Sequence, residues 1–111
     1  MCVDGSPGHF YMSANTSSSD FAFFFQGGVG CAHSPSFCEE LQEEEPWLFT
    51  SEGFPETVAA YGFLSGDAEQ NRLYSSFNRV YVPYCTMDMY LLDTESPTGG
   101  DMQFRGRPLL E

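Results

Sequence analysis

A chain of 111 residues corresponds to one domain or to part of a larger one, and its 41% hydrophobic and 16% aromatic content excludes an intrinsically disordered polymer. Sixteen acids stand against four bases, all arginines, so the formal net charge of -12 repels phosphate backbones and anionic lipid and excludes nucleic acid and membrane surfaces as partners. No apolar run is long enough to span a bilayer.

In chain order, "DGSPG" at residues 4 to 8 is a turn cluster, with Pro7 fixing its own φ. A short strand is predicted at His9 to Ala14, followed by a polar loop from Asn15 to Asp20. Phe21 to Gln26 is predicted as a strand that ends on Gly27 and Gly28. It shows no alternation of apolar and polar residues, which implies cover on both faces, as in the parallel sheet of an α/β fold.

Ser34-Pro35-Ser36 opens a predicted helix over Phe37 to Glu45, with acids in its early turns and Pro46 closing it. The run "EELQEEE" reads as the solvated face of that helix, while Trp47, Leu48 and Phe49 are expected to pack inward. A second short helix is predicted over Glu56 to Tyr61, with Pro55 at its first turn, and Gly66 to Asn71 reads as loop. "RVYVPY" at residues 79 to 84 makes the other convincing strand, Pro83 lying at its end because it cannot donate to a ladder. Thr94 to Asp101 is a polar loop, and "FRGRPLLE" is the approach to a helix. No internal repeat occurs and no linker separates two domains, so residues 1–111 read as a single segment.

Cys2, Cys31, Cys38 and Cys85 are an even set with no C-x-x-C pair, which favours disulfides. A metal site through Cys31, His33 and Cys38 has no zinc-like spacing and no obvious fourth ligand, so neither metal nor cofactor is expected. Asn15-Thr16-Ser17 is a glycosylation sequon and agrees with an extracellular setting, although no leader of the signal-peptide type precedes Cys2. No G-x-S-x-G occurs, and the spacing of the serines with His9 and His33 supports no local triad. The chemistry on offer is backbone chemistry: a strand ending in glycines can direct consecutive N–H groups at one point, where they stabilise an oxyanion. A tight turn with close helix packing explains the same glycines.

Four stretches taken together resemble the pectin acetylesterase and Notum family of secreted α/β-hydrolases. They are "CVDGSPGHFY" at 2 to 11, "FFFQGGVGC" at 23 to 31 with Cys38 seven residues on, "FPETVAAYGFLS" at 54 to 65 and "FNRVYVPYCTMD" at 77 to 88. They occur in the family's order and roughly at its spacing, over nearly all of the chain. The resemblance implies the N-terminal portion of an α/β-hydrolase fold, a mostly parallel sheet flanked by helices, disulfide-bridged and incomplete. It implies that Gly27, Gly28 and Val29 form the oxyanion loop, and that Cys2 pairs with Cys85 and Cys31 with Cys38. Chain entropy assigns roughly 4.5 kcal/mol to the long closure and about 2.5 kcal/mol to the short one.

The family usually shows an acidic residue where Gln26 stands and an aromatic, commonly tryptophan, where Val29 stands, so the resemblance implies that the backbone donors are retained while the pocket lining differs. Gln26 and Asp88 are expected at the pocket rim, with the loop from Met89 to Gly100 beside them. The family's serine, acid and histidine lie beyond residue 111, so the expected activity is that of a carboxylic-ester hydrolase to which this chain supplies the oxyanion loop, being inactive alone. The implied substrate is an acetylated polysaccharide or an acylated protein, and the remainder of the hydrolase domain is needed for stability. The alternative is a small secreted binding module, without catalysis, on the same scaffold.

Overall fold

The computed structural model describes residues 1–95 and 102–111. The chain divides into two compact units, each drawn from separate stretches: one holds Met1–Gly8, Gly27–Phe54 and Tyr84–Glu111, the other His9–Gln26 and Pro55–Pro83.

The second unit is built on a three-stranded sheet. Strand β1 (Tyr11–Ser13) pairs antiparallel with β3 (Asn78–Val82), and β2 (Phe21–Phe25) pairs with β3 in parallel, giving the order β1-β3-β2. The central strand alternates as its sequence requires: Asn78, Val80 and Val82 are buried, while Arg79 and Tyr81 are half-buried on the other face. Tyr11, Phe24 and Tyr81 stack across the three strands at centroid separations of 6.0 Å.

Strand β2 departs from expectation. Only Ala22 is buried, and Phe21, Phe23 and Phe25 form an exposed ladder with centroids 6.0 and 6.3 Å apart. The continuous aromatic run does form a parallel-paired strand. Its faces lack the expected cover because β2 is an outer strand and this unit contains no helix longer than the single 3₁₀ turn Gly62–Leu64.

Residues 56–61 are also not helical. Their backbone stays outside regular structure, Tyr11 Oη donates to the Pro55 carbonyl at 2.6 Å, and the 3₁₀ turn begins at Gly62, whose φ of 53° suits glycine. Two buried asparagines hold the loops of this unit. Asn71 Nδ2 donates to the carbonyls of Phe63 and Ser65 while its Oδ1 accepts from the Tyr74 N–H. Asn78 accepts from the Asn15 N–H at 2.8 Å and donates to the carbonyls of Ser18 and Asp20.

The first unit carries helix α1 (Pro35–Glu44), which starts two residues earlier than predicted because Pro35 serves as its first residue. No acid lies in its first turn; the acidic run begins at Glu39, too late to meet the free N–H groups, and Cys38 is its buried residue. In the following 3₁₀ turn (Pro46–Leu48) Trp47, expected to pack inward, points outward at 61% exposure, and Leu48 is half-buried, while Phe49 enters the core as expected, 1% exposed. That core holds Cys2, Val3, Cys31, Cys38, Phe49, Cys85, Met87 and Phe104. A small antiparallel pair joins β4 (Thr94–Glu95) to β5 (Gln103–Phe104), and "FRGRPLLE" ends in a 3₁₀ helix at Arg107–Leu110. Residues 96–101 of the expected polar loop lie outside the described residues.

Candidate active site: the glycine turn and its supporting loop

Residues Gly27, Gly28 and Val29 follow β2 in the chain and are all exposed. Their three successive N–H groups donate to no partner among the described residues. A Cβ at Gly27 would meet nothing within 4 Å, so glycine there leaves open the space in front of the donors. Gly28 is required by packing, since a Cβ would lie 2.5 Å from Cδ1 and 2.7 Å from Cε1 of Tyr84. Gly30 lies against Met89, whose Cγ would stand 3.2 Å from an added Cβ.

Beyond the glycines the backbone is tied down. Cys31 and Ala32 both donate their N–H to the carbonyl of Met87, at 2.9 and 3.3 Å. Cys31 is bonded to Cys38 across 7 residues and Cys2 to Cys85 across 83, the pairing implied by the family resemblance. The sulfurs of Cys31 and Cys38 are thereby joined to each other, and His33 between them is an exposed imidazole beside Phe37.

The loop after β3 supports the turn. Three residues other than glycine, Met87, Met89 and Tyr90, have φ of 51°, 56° and 60°, a left-handed conformation that costs about 1–2 kcal/mol per residue. What holds it is Asp88, 5% exposed, whose Oδ1 accepts from the Tyr90 N–H at 3.0 Å and whose Oδ2 accepts from Leu92 and Gly106 at 3.2 and 2.9 Å. Gly106 must be glycine, because a Cβ would stand 2.3 Å from Asp88 Oδ1 and 2.7 Å from Thr86 Oγ1.

Tyr84 Oη accepts the Met89 N–H at 2.8 Å, and its ring lies 5.2 Å from that of Tyr90. Burial raises the Tyr84 phenol pKa, the nearby Asp88 charge adds to this, and the Met89 N–H opposes it, so the phenol is neutral at physiological pH.

Of the residues singled out in the sequence, Asp88 sits inside this loop with its carboxylate directed at backbone N–H groups. Gln26 belongs to the sheet unit: its N–H donates to the Val82 carbonyl and its Oε1 accepts from Tyr81 Oη at 2.7 Å. Asn15 of the sequon donates Nδ2 to the Ser76 carbonyl at 2.6 Å and accepts the Ser17 N–H, forming an Asx turn. Sequence reasoning missed Tyr84 and Gly106. Only the single glycine of "FRGR", between two arginines at the approach to a helix, signalled a close contact there.

Residues 1–111 match the family model described as Pectinacetylesterase. The human palmitoleoyl-protein carboxylesterase NOTUM is 26% identical over 110 residues, covering 99% of this chain and 22% of its own length. The zebrafish inactive palmitoleoyl-protein carboxylesterase notum1b is 33% identical over 89 residues, which are 80% of this chain and 63% of that protein. Among solved structures, the Wnt deacylase Notum from Drosophila superposes with a TM-score of 0.86 at 29% identity over 98% of this chain and 32% of its own. The chain thus spans about a fifth of the human relative and a third of the solved one. The coverage of every residue by one family model, together with a shared fold at this identity, places the chain in the pectinacetylesterase family of α/β-hydrolases.

Proposed function

We propose that this chain supplies the oxyanion loop of a serine carboxylesterase, the N–H groups of Gly28 and Val29 receiving the negative charge that develops on the carbonyl oxygen during acyl transfer. Gly27 keeps the approach to them open. The carrying observation is the run of exposed N–H groups that donate to no partner among the described residues, beside a loop in which Met87, Met89 and Tyr90 are left-handed and Asp88 is buried. Such support suits donors that must not reorganise as charge develops on the substrate.

The nucleophile, acid and histidine come from sequence beyond residue 111, and the substrate is an ester of an acetylated polysaccharide or an acylated protein. The names of the relatives favour an acyl group on a protein; by the family resemblance, Val29 stands where an aromatic is usual and changes the pocket lining next to the donors. Two disulfides and the sequon support action outside the cell or in the secretory pathway. No helix among the described residues is long and apolar enough to cross a membrane.

The test is turnover of a simple aryl acetate. The purified 111-residue chain is expected to give none, and the full-length polypeptide carrying it to give turnover that falls sharply when Gly28 is replaced by proline. Turnover by the short chain that Gly28→Pro abolishes would place the nucleophile within these residues and overturn the proposal.

A further inference from the structure

The reaction needs donors held still, yet the glycines that carry them have almost no side chains with which to hold themselves. Their support comes from residues 84–90. The Tyr84 ring forms a wall against the Gly28 backbone, and the Met89 side chain does the same at Gly30. The Met87 carbonyl receives the N–H groups of Cys31 and Ala32, immediately beyond the turn. The Met87 carbonyl and the Met89 side chain are aimed by a left-handed backbone that the side chains at 87, 89 and 90 would not adopt unaided, and the Met89 N–H in turn holds the Tyr84 hydroxyl. Asp88 closes the arrangement by accepting the N–H groups of Tyr90, Leu92 and Gly106.

We infer that Tyr84 and Asp88 are positioning residues for ester hydrolysis: the buried carboxylate locks the 86–92 loop, and the locked loop fixes the direction of the Gly28 and Val29 N–H groups through the Tyr84 ring and the Met87 carbonyl. This rests on the oxyanion role proposed above and deepens it. Neither side chain needs to touch substrate. The ground-state carbonyl asks little of the donors and the tetrahedral oxyanion much, so their misplacement affects kcat more than KM.

The experiment compares Tyr84→Leu, Tyr84→Phe and Asp88→Asn in the full-length polypeptide, with rates expressed per active site counted by an organophosphonate titrant, so that loss of folded protein drops out. Tyr84→Leu and Asp88→Asn are expected to lower kcat for an aryl acetate about 10 to 100-fold, the scale of a donor displaced by about 1 Å. KM should stay within about twofold, and affinity for a trifluoromethyl ketone, which mimics the tetrahedral state, should fall with kcat. Tyr84→Phe keeps the wall and is expected to restore most of the rate. Met89→Ala alters an exposed side chain and will fold even where the others do not; it is expected to lower kcat by about threefold or more. Unchanged kcat per titrated site in the folded variants, while Gly28→Pro still abolishes turnover, would overturn the inference alone. Full activity in Gly28→Pro would instead sink the oxyanion role itself.

Discussion

Adjacent glycines at 27 and 28 should respond oppositely to alanine. At Gly28 an added Cβ would lie 2.5 Å from the Tyr84 ring, closer than real Cβ atoms approach any neighbour, whereas at Gly27 it meets nothing within 4 Å. Tyr84 cannot swing aside freely, since it is 5% exposed and its oxygen holds the Met89 N–H. Forcing a methyl group into such a contact costs about 1–3 kcal/mol, partly offset by the roughly 0.4–1 kcal/mol that alanine gains by restricting the unfolded chain. Gly28→Ala should therefore lose about 1–2 kcal/mol in denaturant unfolding, while Gly27→Ala stays within about 0.5 kcal/mol of the parent or gains slightly. Removing the ring should relieve the clash, so Gly28→Ala combined with Tyr84→Ala should show a coupling of about 1 kcal/mol or more relative to the two single variants. Equal stability of the two alanine variants with no coupling to Tyr84 would refute the packing argument.

The two bridges should differ in weight: reducing Cys2–Cys85, which closes 83 residues, should cost about 4.5 kcal/mol and reducing Cys31–Cys38 about 2.5 kcal/mol, measured by denaturant unfolding of the paired serine variants. Asn71→Ala leaves the carbonyls of Phe63 and Ser65 and the Tyr74 N–H without their partner. At about 1 kcal/mol per hydrogen bond it should cost about 3 kcal/mol, with amide exchange accelerating first across 63–74.

What could be read in the sequence, and what could not, follows from the range over which each signal acts. The strand at Phe21–Phe25 was legible because a continuous aromatic run has few other ways to be accommodated, and the helix at Pro35–Glu44 because Ser34, Pro35 and Pro46 mark its ends. Parallel pairing of β2 with β3 was legible as a class, but the exposure of Phe21, Phe23 and Phe25 depends on neighbours that no local pattern specifies. Helix propensity over Glu56–Tyr61 lost to a tertiary hydrogen bond, from Tyr11 to the Pro55 carbonyl, together with an onset of 3₁₀ structure at Gly62.

At the candidate site the glycines announced exposed backbone. Their dependence on Tyr84 was silent, since it arises 56 residues away in the chain. Asp88 reads as an ordinary loop carboxylate until the fold brings Gly106 N–H, 18 residues on, to its Oδ2.

The central claim, that Gly28 gives its N–H to a developing oxyanion, is tested most directly by replacing that one N–H with an ester oxygen, installing glycolate at position 28 of the full-length polypeptide, and measuring kcat for an aryl acetate. Side chains, the Tyr84 contact and the fold are untouched by this change. The account predicts a fall of about 100 to 1,000-fold with little change in KM. An unchanged kcat would contradict it.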